Sequence, residues 1–265
     1  MYFNVLLFYF MFVIAGCKNN DSEKNVIQNI STTVSDTKSQ NEFATIQKIP
    51  LPEGFKRVGV QENSFAEWLQ NVSLKNDKTV YLFDGSQKTN QLAQFAVLNI
   101  SVGKKNLQQC ADAVMRLRAE YLFAYGRFEE IHFTDNDGTS YNFTPPYTKA
   151  HFKKYLDVVF GMCGSASLAK QLKTVQMFFD IKVGDVIIRG GFPGHAVIVM
   201  DVAFNITGKK IFLLAQSYMP AQDIHVLVNP RNNDLSAWYL IYENLEIYSP
   251  EYLFKTSELK PGNGI

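Results

Sequence analysis

The stretch Gly184–Gln222, GDVIIRGGFPGHAVIVMDVAFNITGKKIFLLAQSYMPAQ, constrains the fold more than any other part of this chain. Long β-branched runs broken by Gly, Pro and Asn are strand and hairpin signals. They predict a short strand at Val186–Arg189, a Gly/Pro loop, a strand opening on His195, a turn near Asn205–Lys209 and a return strand ending at Gln216. Apolar residues on both faces of Ala196–Met200 predict that the second strand is central and buried. A histidine raised on a glycine at the mouth of such a strand is a candidate base.

Register decides what that base can touch. With Asn205–Gly208 as the loop, Gln216 faces Val197 and lies diagonal to His195, about 7–8 Å away between Cα atoms and within reach of a long amide side chain. With Thr207-Gly208 as a tight turn, Gln216 faces Val199 instead and is too far from His195 without a bulge. Asp201 is placed on the same strand face as His195 but about 20 Å along it, too far to orient the imidazole. Asp185 reads as the cap of the turn into its own strand.

The best helix signal is Asn106–Gly126, NLQQCADAVMRLRAEYLFAYG. Asn106 and Gln109 give a capping-box-like start, and Gly126 sits where a left-handed stop is expected. Cys110 then falls in the first turn, where free N–H groups and the helix dipole favour thiolate. Cys110 also shares a face with Ala113, Val114 and Leu117, so the pattern equally fits a small core residue. Cys163, in GMCGSASLAKQL, precedes a second helix that Ser165 or Ser167 could cap, and is a weaker nucleophile candidate. Cys110 and Cys163 form either one disulfide or two separate thiols.

Smaller signals complete the chain. Ser64–Leu69 predicts a short helix capped by Ser64 with Phe65, Trp68 and Leu69 inward. Thr79–Phe83 and Ala93–Ile100 have strand character, and Asp137-Gly138 marks a turn. His132 reads as a surface strand residue, His151 as a solvent-facing helix residue, and His225 as a packing or rim residue. Trp238, Tyr239, Tyr242, Tyr248, Tyr252 and Phe254 read as residues that finish a core, or else line a cleft that stacks on sugar rings.

The N-terminus has a different character. Residues 1–16, MYFNVLLFYFMFVIAG, are apolar but shorter than a comfortable membrane span, and Cys17 follows at once. Ile14-Ala15-Gly16-Cys17 resembles a bacterial lipobox, which implies a signal peptide over 1–16 and lipidation of Cys17. Residues 17–48 are polar, too poor in apolar surface to offset ordering entropy, and are expected to be a flexible tether. Residues 49–265 are long enough for one domain with a sizeable core.

Several function classes are disfavoured. A net charge of +1 argues against a nucleic-acid footprint. Walker, dinucleotide-fingerprint, HExxH, CxxC and GxSxG motifs are missing from the sequence, and the histidines lack metal-ligand spacing. The reading therefore calls for no cofactor and no metal.

GDVIIRGGFPGHAVIVMDV resembles the paired-strand motif of NlpC/P60 and CHAP peptidoglycan hydrolases. That resemblance implies an α+β, papain-like fold, with an antiparallel sheet packed on the Asn106–Gly126 helix. It also implies a chain order of helix-terminal Cys, strand-opening His and a polar third residue, an order that Cys110, His195 and Gln216 follow. Over residues 50–255 the chain further resembles an uncharacterised family of bacterial lipoproteins. Together these imply a lipid-anchored cell-envelope protein, held to the membrane through Cys17, with thiol amidase or peptidase activity on cell-wall peptides. The alternative is a non-catalytic envelope lipoprotein that keeps the fold to bind peptidoglycan or a peptide.

Overall fold

The computed structural model describes residues 40–172, 176–241 and 245–262. The signal-peptide segment, Cys17 and most of the polar stretch, along with Tyr242, lie outside these residues. Residues 38–265 form one compact unit, and the chain is already folded at its first described residues. The Asn41 amide donates to the Asn76 carbonyl at 2.6 Å, and Ile46 is fully buried in a 3-10 turn. A few apolar side chains within a polar stretch thus join the core.

The architecture is α+β. The helices are α1 (Phe65–Asn71), α2 (Cys110–Ala124), α3 (Lys149–Met162) and α4 (Ser165–Gln171). The strands are β1 (Phe55–Arg57), β2 (Gln94–Val97), β3 (His132–Thr134), β4 (Ser140–Asn142), β5 (Val186–Arg189), β6 (His195–Asn205), β7 (Lys210–Gln216), β8 (His225–Leu227), β9 (Tyr239–Leu240), β10 (Glu246–Tyr248), β11 (Leu253–Lys255) and β12 (Leu259–Lys260). An antiparallel sheet runs in the order β12-β5-β6-β7-β8-β2, with β1 added to β6 and β9 to β7. Two small antiparallel pairs, β3-β4 and β10-β11, stand apart from it.

The central strand is buried on both faces, as its sequence predicts. Ala196, Ile198 and Met200 face a large core shared with α1, α2, α3 and α4. Val197 and Val199 face a smaller core closed by Ile247, Phe254 and Leu259 from the C-terminal segment. Two-sided burial explains why this run reads as nearly continuous apolar residues.

Local signals set most element ends. Ser64 caps α1, its hydroxyl accepting from the Glu67 amide at 3.2 Å. Gly126 ends α2 with φ +69, and the Arg127 amide returns to the Leu122 carbonyl at 2.9 Å. The start of α2 differs from expectation. Its cap is Gln109, whose amide donates to Asp112 Oδ2 at 2.9 Å. Asn106 instead accepts from the Ala221 amide at 2.8 Å, tying the approach to α2 onto the loop after β7. Thr79–Phe83 forms isolated bridges, not a strand.

The β6-β7 hairpin reaches the expected pairing by a different route. Phe204 pairs with Lys210, and Asn205 and Lys209 close a connection over residues 206–208. A bulge at Met200 then shifts the register, because Val199 pairs with Leu214 while Asp201 pairs with Leu213. Ile198 therefore pairs with Ala215, which brings Gln216 level with Val197. The bulge also corrects the placement of Asp201. Two consecutive residues share a face at such a bulge, so Asp201 turns away from the His195 face toward α1. There it accepts from Arg57 Nε at 2.7 Å and Gln70 Nε2 at 2.8 Å.

Candidate active site

Cys110 occupies the first position of α2 and His195 the first position of β6. Both line one cleft of about 340 Å³. Its other walls come from the Gly191–Gly194 loop, the Cys163–Ser165 turn before α4, Phe160, Tyr218, Met219 and Tyr252. Among the described residues Asp112 is the one carboxylic acid lining it, and no Lys or Arg does. Phe192, 98 % exposed, stands at the mouth.

The loop entering β6 is held tightly. Ser165 Oγ donates to the Gly191 carbonyl at 3.2 Å. Gly194 has no room for a side chain, because a Cβ there would collide with Ser165 Oγ and the Gly191 carbonyl and stand 2.8 Å from the Arg189 carbonyl. The glycine before His195 is thus required by close approach of the α4 turn and not by φ.

His195 is 1 % exposed. Its Nε2 lies 2.8 Å from Gln216 Oε1. The ring packs against Tyr218, Tyr252 and Phe254, with centroids 4.9, 5.0 and 5.6 Å away. Burial pushes its pKa down to about 4, outweighing the raising effects of Gln216 and of the Glu251 charge. The imidazole at rest is neutral.

The resting thiol is neutral too. Burial raises the Cys110 pKa and Asp112 adds to the rise, while the backbone N–H groups of Ala111 and Cys110 pull the other way. The helix-terminus effect expected from sequence is present, but desolvation outweighs it. Asp112 itself is buried, with its pKa pushed up to about 8 by desolvation. Oδ2 accepts from Gln109, whereas Oδ1 has no partner among the described residues.

Cys163 lies in the same cleft, buried as the C-cap of α3, and desolvation pushes its thiol up to about 11. Cys110 and Cys163 are both free thiols.

Behind the imidazole lies a polar cluster. Gln216, 1 % exposed, donates from Nε2 to Glu251 Oε2 at 2.7 Å. The same carboxylate oxygen is 2.7 Å from Lys88 Nζ in an ion pair largely shielded from solvent. His225, directly opposite Gln216 across β7-β8, is fully buried, its Nε2 3.5 Å from Gln216 Nε2 and its Nδ1 2.9 Å from the Asp223 carbonyl. Burial pushes its pKa down to about 3.

The sequence reading found Cys110, His195, Gln216 and Cys163, and the structure brings all four into or against one site. Glu251, Lys88 and Tyr218 stand outside that set, while Tyr252, one of the C-terminal aromatics, both lines the cleft and packs on the smaller core. Tyr218 was within reach as a near neighbour of Gln216 in chain. Glu251 and Lys88 carry no local signal, since only tertiary contact joins them to β7. His132 is exposed on β3, and His151, half-buried on α3, packs its ring on Phe143 at 5.4 Å. Neither reaches the cleft. Among the described residues, no group of three or more His, Cys, Asp or Glu is placed to hold a metal ion.

No curated protein and no solved structure matches the chain. Residues 46–146 and 142–261 match a single family profile, described as Domain of unknown function (4846), and with that coverage the chain belongs to this family.

Proposed function

We propose that this protein is a thiol amidase or peptidase of the cell envelope, built on a papain-like core of NlpC/P60 type, tethered by a lipid on Cys17 and acting on cell-wall peptides. The observation that carries this reading is a helix-terminal thiol and a strand-opening imidazole lining one cleft, with the Gln216 side-chain oxygen 2.8 Å from Nε2 of that imidazole.

In this mechanism the Cys110 thiol gives its proton to His195 Nδ1, the nitrogen not bonded to Gln216, as sulfur attacks the amide carbonyl carbon. The backbone N–H of Cys110 donates to the developing oxyanion. As the C–N bond breaks, the imidazolium returns the proton to the leaving amine and a thioester remains. Water then adds to the thioester carbon as His195 takes its proton, and as the C–S bond breaks the imidazolium passes that proton to sulfur, restoring the thiol and the neutral imidazole. With thiol and imidazole both shifted toward their neutral forms by burial, the thiolate–imidazolium pair is disfavoured before substrate binds.

Digestion of purified peptidoglycan by the wild type, Cys110→Ala and Cys163→Ala tests the reading, with released muropeptides counted by mass spectrometry. Loss in Cys110→Ala alone supports it, and digestion by Cys110→Ala at the wild-type rate overturns it.

A second reading rests on the neutral resting pair, which suits a cleft that binds without reacting. Here the protein is a non-catalytic envelope lipoprotein that holds a peptide. That reading expects no muropeptide release by the wild type, with peptidoglycan binding unchanged in Cys110→Ala.

A further inference from the structure

We propose that Glu251, held by Lys88, is a positioning residue that fixes the side-chain amide of Gln216 and thereby the tautomer of His195, a role that rests on the hydrolase reading for its catalytic meaning. An amide side chain has an oxygen and a nitrogen of nearly equal size, so its own shape does not say which end faces the imidazole. A neighbour that can only accept, or only donate, settles it.

Glu251 is that neighbour. Its carboxylate accepts only, and it lies 2.7 Å from one end of the Gln216 amide. The end facing it must therefore be the NH2 group. Gln216 Oε1 is then turned to His195 Nε2 at 2.8 Å, and a carbonyl oxygen accepts only. His195 Nε2 must carry the hydrogen, which leaves Nδ1 with the lone pair that a base needs.

The remaining groups close consistently. The Asp223 carbonyl, 2.9 Å from His225 Nδ1, requires a hydrogen on that nitrogen. His225 Nε2 is then an acceptor, and the second hydrogen of the Gln216 amide points toward it at 3.5 Å. One amide thus sees opposite tautomers in two neighbouring histidines. Lys88 donates to the same Glu251 oxygen at 2.7 Å and supplies the charge that allows a carboxylate to remain in this shielded place.

Replacing Glu251 and Lys88 together removes the constraint without stranding a charge. Histidine-selective 15N labelling of the folded domain, read by long-range proton–nitrogen correlation, reports each tautomer, and the His195 signal is assigned by its loss in His195→Gln. The wild type is expected to show His195 protonated on Nε2 and His225 on Nδ1. In the Lys88→Met/Glu251→Leu variant, His195 is expected to gain an Nδ1-protonated fraction, and kcat on peptidoglycan peptides to fall about tenfold or more with KM little changed. An Nδ1-protonated His195 in the wild type overturns the proposal, as does an unchanged tautomer and kcat in the variant. If the double variant does not fold, Lys88→Met/Glu251→Gln decides by the same spectrum, because without the donor-only ammonium two facing amides no longer fix which end donates. A tautomer that shifts in the variant, with a wild type that cleaves nothing, sinks the hydrolase reading and leaves the positioning role standing. An active wild type whose tautomer does not respond does the reverse.

Discussion

Asp112 and Cys110, two positions apart at the start of α2, are both pushed toward their protonated forms by the same loss of water. For Asp112 this has a consequence for stability. Its folded pKa of about 8 stands above the ordinary carboxylate value of 3.8. The native state therefore holds the proton more tightly than the unfolded chain, and the resulting stabilisation is complete below about pH 4 and lost as pH rises toward about 8. Asp112→Asn keeps an oxygen for the Gln109 amide and cannot ionise. Between pH 4.5 and 8.5 its stability is expected to gain on the wild type by more than about 2 kcal/mol, measured as the difference in urea unfolding free energies. His195 and His225 act with the opposite sign, since their lowered values give stability that is present above the ordinary histidine range and lost on acidification. They are common to both proteins and drop out of the comparison. Equal pH dependence in the two proteins would show that the Asp112 carboxyl is solvated.

At the level of elements, the bulge at Met200 decides which side chains share a face. Alternation along β6 without it would put Asp201 beside the His195 face. With it, Asp201 enters the helix-facing core with no exposed surface, and Arg57 on β1 is its cation. Arg57→Met preserves much of the packing over Trp238, where the guanidinium now lies 5.8 Å from the ring centroid. It leaves the Asp201 carboxyl buried with Gln70 as its side-chain partner. The expected cost is about 3–5 kcal/mol, read from denaturant midpoints. Restoration of most of that loss in Arg57→Met/Asp201→Leu would confirm that the penalty is a stranded charge. A single-variant loss below about 1 kcal/mol would mean that water reaches the site.

For the whole molecule, the C-terminal segment links stability to the candidate site. Phe254 is fully buried and packs on His195 with centroids 5.6 Å apart, while Glu251 in the same segment reaches Gln216. Phe254→Ala is expected to cost about 3–5 kcal/mol by thermal unfolding and to raise the His195 pKa by admitting water, observable by titrating its ring protons. An unmoved His195 titration in a folded variant would separate this segment from the site. How much of this was legible beforehand follows the range of each interaction. The cap at Ser64, the stop at Gly126, the ends of β5, β6 and β7, and the two-sided burial of β6 are set by neighbours in sequence, so the sequence by itself determined them. It also determined which residues could form a thiol–imidazole–amide set. The Met200 bulge, the neutral resting state of Cys110 and the Lys88–Glu251–Gln216 chain were decided only by tertiary structure. Register shifts, desolvation and side-chain orientation depend on groups brought together from distant parts of the chain, and local sequence pattern carries no record of that approach.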